Sequence, residues 1–135
     1  MDLMHSLMIS AAGMKVQGER LRVVAENLAN ADSVAEKPGG DPYRRKTITF
    51  RNELDRQLGL ETVRVDKVGT DRSDFRMKYD PGNPAADEKG YVKLPNVNSL
   101  IEMTDMREAQ RSYEANLKAI EVARSMLQRT IDLLR

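Results

Sequence analysis

The sequence predicts a mainly α-helical protein in which two long N- and C-terminal helices form an extended coiled-coil-like bundle, with a small irregular/β central region. Apolar residues recur every seven positions near both ends of the 135-residue chain, as they do along a coiled-coil stripe. Six glycines and five prolines lie within residues 31–98, where segments alternate with the period of a strand. A helix over 99–135 would be about 55 Å long, whereas a compact domain of this size is roughly 35 Å across.

Residues 1–30 are predicted to form the N-terminal helix of a coiled-coil inner domain. One column of large apolar residues recurs at intervals of seven: Leu7, Met14, Leu21 and Leu28. The adjacent column has smaller residues, which would let a partner backbone approach closely: Met4, Ala11, Gly18 and Ala25. Asn27 and Asn30 lie near the helix end, where amide side chains can bond free backbone groups. We expect Asn30 to help terminate the helix.

Residues 31–98 are predicted to form a central loop/β region. Glu61–Asp66 alternates apolar and polar residues as a half-buried strand does. Residues 43–50 and 75–79 show the same alternation less regularly. Residues 80–84, Asp-Pro-Gly-Asn-Pro, are typical of a turn, because proline presets φ and glycine tolerates positive φ. Three short strands of this kind could form a small sheet or hairpin module.

Residues 99–135 are predicted to form the C-terminal helix of the same inner domain. Ser99 and Glu102 match a capping box, in which each side chain bonds the other residue's backbone amide. Beyond them, apolar residues again recur at intervals of seven: Met106, Tyr113, Ile120, Leu127 and Leu134. The flanking column is apolar only at alternate positions, and a third column is small or polar. We expect this stripe to pair with the stripe of the N-terminal helix, and the remaining apolar faces to be buried by neighbouring subunits.

The composition argues against an enzyme and against a cofactor or metal site. The chain has no cysteine and one histidine, and 22 basic residues balance 21 acidic ones. Thiol chemistry, thiolate zinc sites and multi-histidine metal sites are therefore excluded, and no residue is predicted to be catalytic, cofactor-binding or metal-ligating. Arg44–Lys46 is predicted to contact solvent or protein rather than nucleic acid, and the acidic turn near Asp80 to be solvated. No apolar run approaches the roughly 20 residues of a membrane span.

Several motifs resemble those of flagellar basal-body rod proteins, within the flagellar rod and hook axial family. The N-terminal helix ends in Asn27-Leu28-Ala29-Asn30, a run shared across rod and hook proteins. The more specific motifs are Asp41-Pro42-Tyr43-Arg44-Arg45-Lys46, Asn83-Pro84-Ala85-Ala86-Asp87-Glu88, Gly90-Tyr91-Val92-Lys93, Pro95-Asn96-Val97-Asn98, Met103-Thr104-Asp105-Met106-Arg107-Glu108-Ala109, Arg111-Ser112-Tyr113-Glu114-Ala115-Asn116 and Thr130-Ile131-Asp132-Leu133-Leu134-Arg135. Together they resemble subunits of the proximal rod over nearly the whole chain.

This resemblance implies a structural role, in which the chain polymerises through its terminal helices as part of the axial drive shaft of the flagellum. It implies export from the cytoplasm through the flagellar type III apparatus, without a cleaved signal peptide, and a place in the periplasm-spanning rod of the basal body. The implied partners are other proximal-rod subunits, the rod-base adaptor protein and the adjoining rod segments. The expected assembly residues are the two apolar columns with Asn27 and Asn30. The alternative is a helical regulatory module that binds a partner helix.

Overall fold

The computed structural model describes residues 2–135 as two α-helices and four β-strands. The elements, in chain order, are α1 (Leu3–Ala29), β1 (Lys46–Asp55), β2 (Leu60–Thr70), β3 (Arg76–Tyr79), β4 (Tyr91–Leu94) and α2 (Ser99–Leu133). The strands form two separate two-stranded sheets, β1–β2 and β3–β4. Two long terminal helices flanking a central β region are therefore confirmed. Because the strands form two sheets beside helices of 27 and 35 residues, the fold is α+β with helix predominating.

The helix α1 ends where the sequence predicts. Asn30 donates to the Glu26 carbonyl oxygen from its backbone nitrogen at 3.2 Å and from its side-chain Nδ2 at 2.9 Å. The backbone bond is the last i→i−4 bond of α1, and the side-chain amide adds a second donor to the same carbonyl. Among residues 2–135, left-handed φ is confined to glycines, so Asn30 terminates the helix without adopting it.

The helix α2 begins at Ser99, the residue predicted to cap it, so the capping-box prediction is wrong. Asn98 Oδ1 accepts hydrogen bonds from the backbone nitrogens of Leu100 and Ile101 at 3.1 and 3.4 Å. Asn98 is therefore the capping side chain. The Glu102 carboxylate does not bond the backbone of Ser99, because it is buried and bound by other side chains, described below.

The two sheets are short hairpin-like pairs. β1 and β2 are joined by residues 56–59, and cross-strand ion pairs join Arg51 to Asp66 at 3.9 Å and Arg64 to Glu53 at 3.6 Å. The sheet β3–β4 is antiparallel, with register from Arg76↔Leu94 to Tyr79↔Tyr91. The predicted strands at 43–50, 61–66 and 75–79 overlap β1, β2 and β3, respectively. The predicted turn at 80–84 lies between β3 and β4. The strand β4 was not predicted, because its four residues are too few to show a clear alternation.

Contacts within the chain define two compact units. The first, called here the helix-pair unit, comprises the chain up to Leu21 with Ile48–Lys67 and Arg107–Arg135; the second, the network unit, comprises Arg22–Thr47 and Val68–Met106. Small residues form the interior of the helix-pair unit: Ser10, Val16, Ala109 and Ala123. The apolar interior of the network unit is larger: Val23, Val24, Ala31, Ala85, Val92 and Val97.

Within the helix-pair unit the two helices run antiparallel. A side-chain carbon added at Gly13 would lie 2.8 Å from Asn116 Nδ2, so the helices approach closely there. Arg20 lies about two turns after Gly13 on α1, and Glu108 lies about two turns before Asn116 on α2. These two residues form an ion pair at 3.3 Å. The close approach therefore occurs at Gly13 rather than in the predicted small-residue column, since nothing lies within 4 Å of a carbon added at Gly18. In the described part of the chain, neither helix is long and apolar enough to cross a membrane.

Candidate assembly site

A buried carboxylate organises the network unit. Glu102 on α2 has a fully buried side chain, and its two oxygens accept hydrogen bonds from Arg45 Nε and, at 3.3 Å, from Asn27 Nδ2. The Arg45 guanidinium also lies 3.7 Å from Asp71 and 3.8 Å from Asp105. Removing one partner of a buried charge strongly destabilises the folded state, because it leaves the charge uncompensated. This network joins the end of α1, the start of β1 and the start of α2.

Asn27 completes the network by bonding the backbone of β1 through its side-chain amide, as the backbone of a neighbouring strand would. Its Oδ1 accepts from the Lys46 backbone nitrogen at 2.9 Å and from the Tyr43 hydroxyl at 2.7 Å, while its Nδ2 donates to the Lys46 carbonyl at 2.9 Å. The amide thus bonds both backbone groups of the first residue of β1. With 1% of Asn27 exposed, its bonds are made within its own chain. Its predicted role in assembly stays a prediction, and any such role is indirect.

Two groups in the network have shifted acidity. The pKa of Tyr43 is raised to about 12, mainly because the hydroxyl is partly buried and then because the Glu26 and Glu102 carboxylates lie nearby. The pKa of Asp71 is lowered, first because the Ser73 backbone amide and hydroxyl donate to its carboxylate and then because Arg45 and Arg44 are close. Both shifts favour the protonation states in which these side chains hold the network together at neutral pH.

The basic cluster Arg44–Lys46 is engaged inside the chain, so its prediction as a surface patch for solvent or other proteins is corrected. The Arg44 guanidinium stacks 4.1 Å from the Phe75 ring centre and donates to the carbonyls of Asp71 and Ser73. Lys46 Nζ binds Glu26 at 2.5 Å. Alternation along β1 could not reveal this, because the partners come from residues distant in the sequence.

The predicted apolar columns border the buried stripe rather than forming its centre. All of the following are half-buried: Leu7, Met14, Leu21, Leu28, Asn30, Met106, Tyr113, Ile120 and Leu127. Leu134 lies just beyond α2 and is 84% exposed. On α2 the buried positions are instead Glu102, Ala109 and Ala123, the column that the sequence reading treated as merely small or polar. Half-buried side chains can still be covered further by another subunit, so the predicted assembly residues stay predictions.

The helix-pair unit leaves a large apolar surface uncovered on α2. Its exposed apolar side chains range from 40 to 87% accessible: Leu117, Val122, Met126, Ile131 and Leu133. Beside the start of α1, an open recess of about 560 Å³ is lined mainly by small and apolar residues: Leu3, Ser6, Ala115, Lys118, Ala119, Val122, Ala123 and Met126. Of the exposed side chains, Val122 and Met126 lie four residues apart and line this recess together, and exposed apolar surface of this kind favours an interaction site.

The acidic turn after β3 has an ordinary structural explanation. Asn83 Oδ1 accepts from the Ala85 backbone nitrogen at 3.0 Å, and Asp87 Oδ1 accepts from the Lys89 and Tyr91 backbone nitrogens at 2.9 Å. These bonds are those of turn-forming Asx side chains. Across residues 2–135, no three His, Asp or Glu side chains are grouped so that they could hold a metal ion.

Comparison with known proteins associates these surfaces with a family. The family model described as "Flagellar basal body rod FlgEFG protein C-terminal" matches residues 88–133, which include β4 and α2. The chain is 60% identical over 127 residues to the flagellar basal-body rod protein FlgC of Agrobacterium fabrum, covering 94% of this chain and 91% of that protein. It is 40% identical over 133 residues to FlgC of Escherichia coli, covering 98% of each. Over 148 aligned positions it is 37% identical to FlgC of Bacillus subtilis, covering 98% of this chain and 99% of that protein.

Proposed function

This chain belongs to the FlgC family of flagellar basal-body rod proteins, and from that premise we propose how it assembles. It is a structural subunit of the rod and not an enzyme, and its place is the flagellar basal body. Other rod components are therefore its partners. The relatives carry the name of a rod protein, which favours this function over the alternative of a regulatory module that binds a single helix.

We propose that the chain is a subunit of the proximal rod, which polymerises through α1 and α2 and thereby transmits torque. The observation that carries this proposal is the apolar surface left uncovered on α2, where Leu117, Val122 and Met126 are 40, 51 and 53% exposed. A soluble monomer gains nothing from such a surface, whereas neighbouring subunits that cover it gain about 25 cal/mol per Å² of buried apolar area.

The coiled-coil inner domain is part of the same proposal. The antiparallel approach of α1 and α2 at Gly13–Asn116 and Arg20–Glu108 supplies half of such a bundle. Neighbouring helices would complete it by packing against the half-buried columns of residues 7–28 and 106–127. The domain division into residues 1–30, 31–98 and 99–135 follows the helix ends and belongs to this proposal.

We also propose that the chain contacts the rod-base adaptor and the adjoining rod segments, and that the type III apparatus exports it without a cleaved signal peptide. Export in an unfolded state suits a chain whose stability comes partly from its neighbours. No nucleic acid has a part in this proposal, because the basic cluster at 44–46 is bound within the chain.

A charged substitution in either apolar column tests the proposed assembly. Leu21→Asp or Ile120→Asp places a charge at a half-buried apolar position, where an unpaired charge is strongly unfavourable once a neighbour covers it. We expect either variant to be exported and to fail to assemble, with loss of motility. The matched control is Ile120→Leu, which keeps the apolar character and volume. Normal rod assembly by Leu21→Asp and Ile120→Asp would contradict the proposal.

A further inference from the structure

The strand β1 is an edge strand, because in the described part of the chain it pairs only with β2. Just before β1, the Arg45 carbonyl accepts a bond from the backbone nitrogen of Asp71, which directly follows β2. The next residue, Lys46, has its N–H and C=O bonded by the Asn27 amide instead. Alternate residues of a strand direct these backbone groups to the same edge. The even-numbered residues of β1 therefore direct theirs away from β2.

Beyond Lys46 this outer edge is accessible to another molecule. Phe50 and Leu54 are 37 and 54% exposed, and Asn52 between them is also exposed. The recess between the hairpin and α1 is lined by residues 62–65 of β2, so the helix lies beside β2. A two-stranded hairpin is marginally stable in water, and a third strand stabilises it. An edge of this kind is a template for pairing with another strand.

The sequence around Asn52 is complementary to itself when two copies of β1 run antiparallel. With Asn52 opposite Asn52, Arg51 lies opposite Glu53 of the second copy. Phe50 likewise lies opposite Leu54. Opposite charges and apolar pairs in directly opposed positions each stabilise a sheet, whereas the like charges in this register are diagonal neighbours about 7–8 Å apart. Both the charged and the apolar side chains of β1 therefore favour a second copy of β1 as the neighbour.

The other charges of the β1–β2 hairpin agree with this register. Arg51 already binds Asp66 at 3.9 Å, and Arg64 binds Glu53 at 3.6 Å. The joined sheet thus has opposite charges as nearest neighbours both within and between copies. Asp55 lies diagonal to Arg51 of the second copy, which adds a further attraction.

We propose that β1 of one copy pairs antiparallel with β1 of a second copy about Asn52, which joins their two hairpins into a four-stranded sheet. The contact uses the same surface on both copies, so it is isologous and closes with two copies. It does not extend into a rod, so the dimer is a state of the free chain and lies beyond the proposed function. Pairing also covers an edge that would otherwise promote aggregation.

Disulfide trapping tests this contact directly, because the chain has no cysteine. In the proposed register the two Asn52 Cα atoms are about 5.5 Å apart, within the range that a disulfide spans. We expect N52C to form a covalent dimer at least ten-fold faster than the control E61C under the same oxidation. Glu61 is also exposed but lies on β2 of the same hairpin, so it measures cross-linking by random collision.

Charge variants measure the contact without a cross-link. R51E and E53R each place like charges opposite each other, so either variant alone should lose at least ten-fold in association constant by sedimentation equilibrium. An equimolar mixture should recover dimers, because every opposed pair then joins opposite charges. Circular dichroism should show an unchanged fold, since the ion pairs lost within the hairpin are exposed.

Three results would overturn the inference: equal cross-linking of N52C and E61C, self-association of R51E equal to that of wild type, or no recovery in the mixture. If any of these occurs while Ile120→Asp still abolishes rod assembly, the strand pairing is wrong and the proposed function stands. If Ile120→Asp assembles normally, the proposed function fails, and a dimer trapped by N52C would still support the strand pairing.

Discussion

The network unit and the helix-pair unit are stabilised in opposite ways. The network unit pairs its buried polar groups within the chain, with Asn27 and Arg45 both donating to the Glu102 carboxylate. The helix-pair unit has a thin interior of small residues and leaves the apolar side chains of α2 outside. Its ion pair between Arg20 and Glu108 is largely exposed on the glutamate side. The comparison indicates that the network unit is stabilised by polar bonds within the chain, whereas the helix-pair unit is the part that we propose neighbouring subunits complete.

The largest expected effect comes from a comparison of two glutamates of α2, Glu102 and Glu108. Glu102→Ala should destabilise the protein by about 3 kcal/mol, because it leaves the Arg45 guanidinium and the Asn27 amide short of a buried partner. The matched control is Glu108→Ala, which breaks an exposed ion pair and should cost less than about 1 kcal/mol. Urea unfolding of both variants measures the difference. Equal losses of stability would contradict the distinction between the two units.

The prediction from the sequence was accurate where the pattern is local and failed where it is not. Heptad spacing located both helices to within two residues at their ends, and Asn30 was correctly expected to end α1. Glu102 was misread, because the capping box is a local rule whereas its partner Arg45 lies 57 residues away. The available signal was that Glu102 continues the small column of Ala109, Asn116 and Ala123, which proved to be the buried one. The prediction for the basic cluster at 44–46 missed its contacts for the same reason, because its partners are also distant in the sequence.

A smaller effect is expected in the pH dependence of the network unit's stability. With its pKa raised to about 12, Tyr43 holds its proton more tightly in the folded chain than in the unfolded chain, where the pKa is near 10. Stability from this group is therefore fully present below pH 10 and is lost as pH rises toward 12. Tyr43→Phe should cost about 1 kcal/mol at neutral pH through the lost bond to Asn27. It should also reduce the loss of stability between about pH 10 and 12.

Unfolding of wild type and Tyr43→Phe at pH 8, 10 and 11.5 measures this difference. The variant serves as the reference for all other groups that titrate in the same range. A variant that loses stability with pH as steeply as the wild type would show that Tyr43 has no such role.

The smallest effect compares two glycines of α1. Gly18→Ala should stabilise the monomer by roughly 0.5–1 kcal/mol, because alanine favours the helix and nothing lies within 4 Å of the added carbon. Gly13→Ala should gain less or lose stability, because its added carbon would lie 2.8 Å from Asn116 Nδ2. Thermal unfolding checks both, and the double variant Gly13→Ala/Asn116→Ala should recover part of the difference. A larger gain at Gly13 than at Gly18 would contradict the close approach of the helices.

Hydrogen exchange of the dilute monomer tests the central claim most directly, because it reports the local stability of both units at once. Amides near Asn27 and Glu102 should exchange slowly. Amides at the start of α1 and in the last turns of α2 should exchange much faster, and should become protected when subunits assemble. Full protection of both terminal regions in the dilute monomer would contradict the claim that neighbouring subunits complete the helix-pair unit.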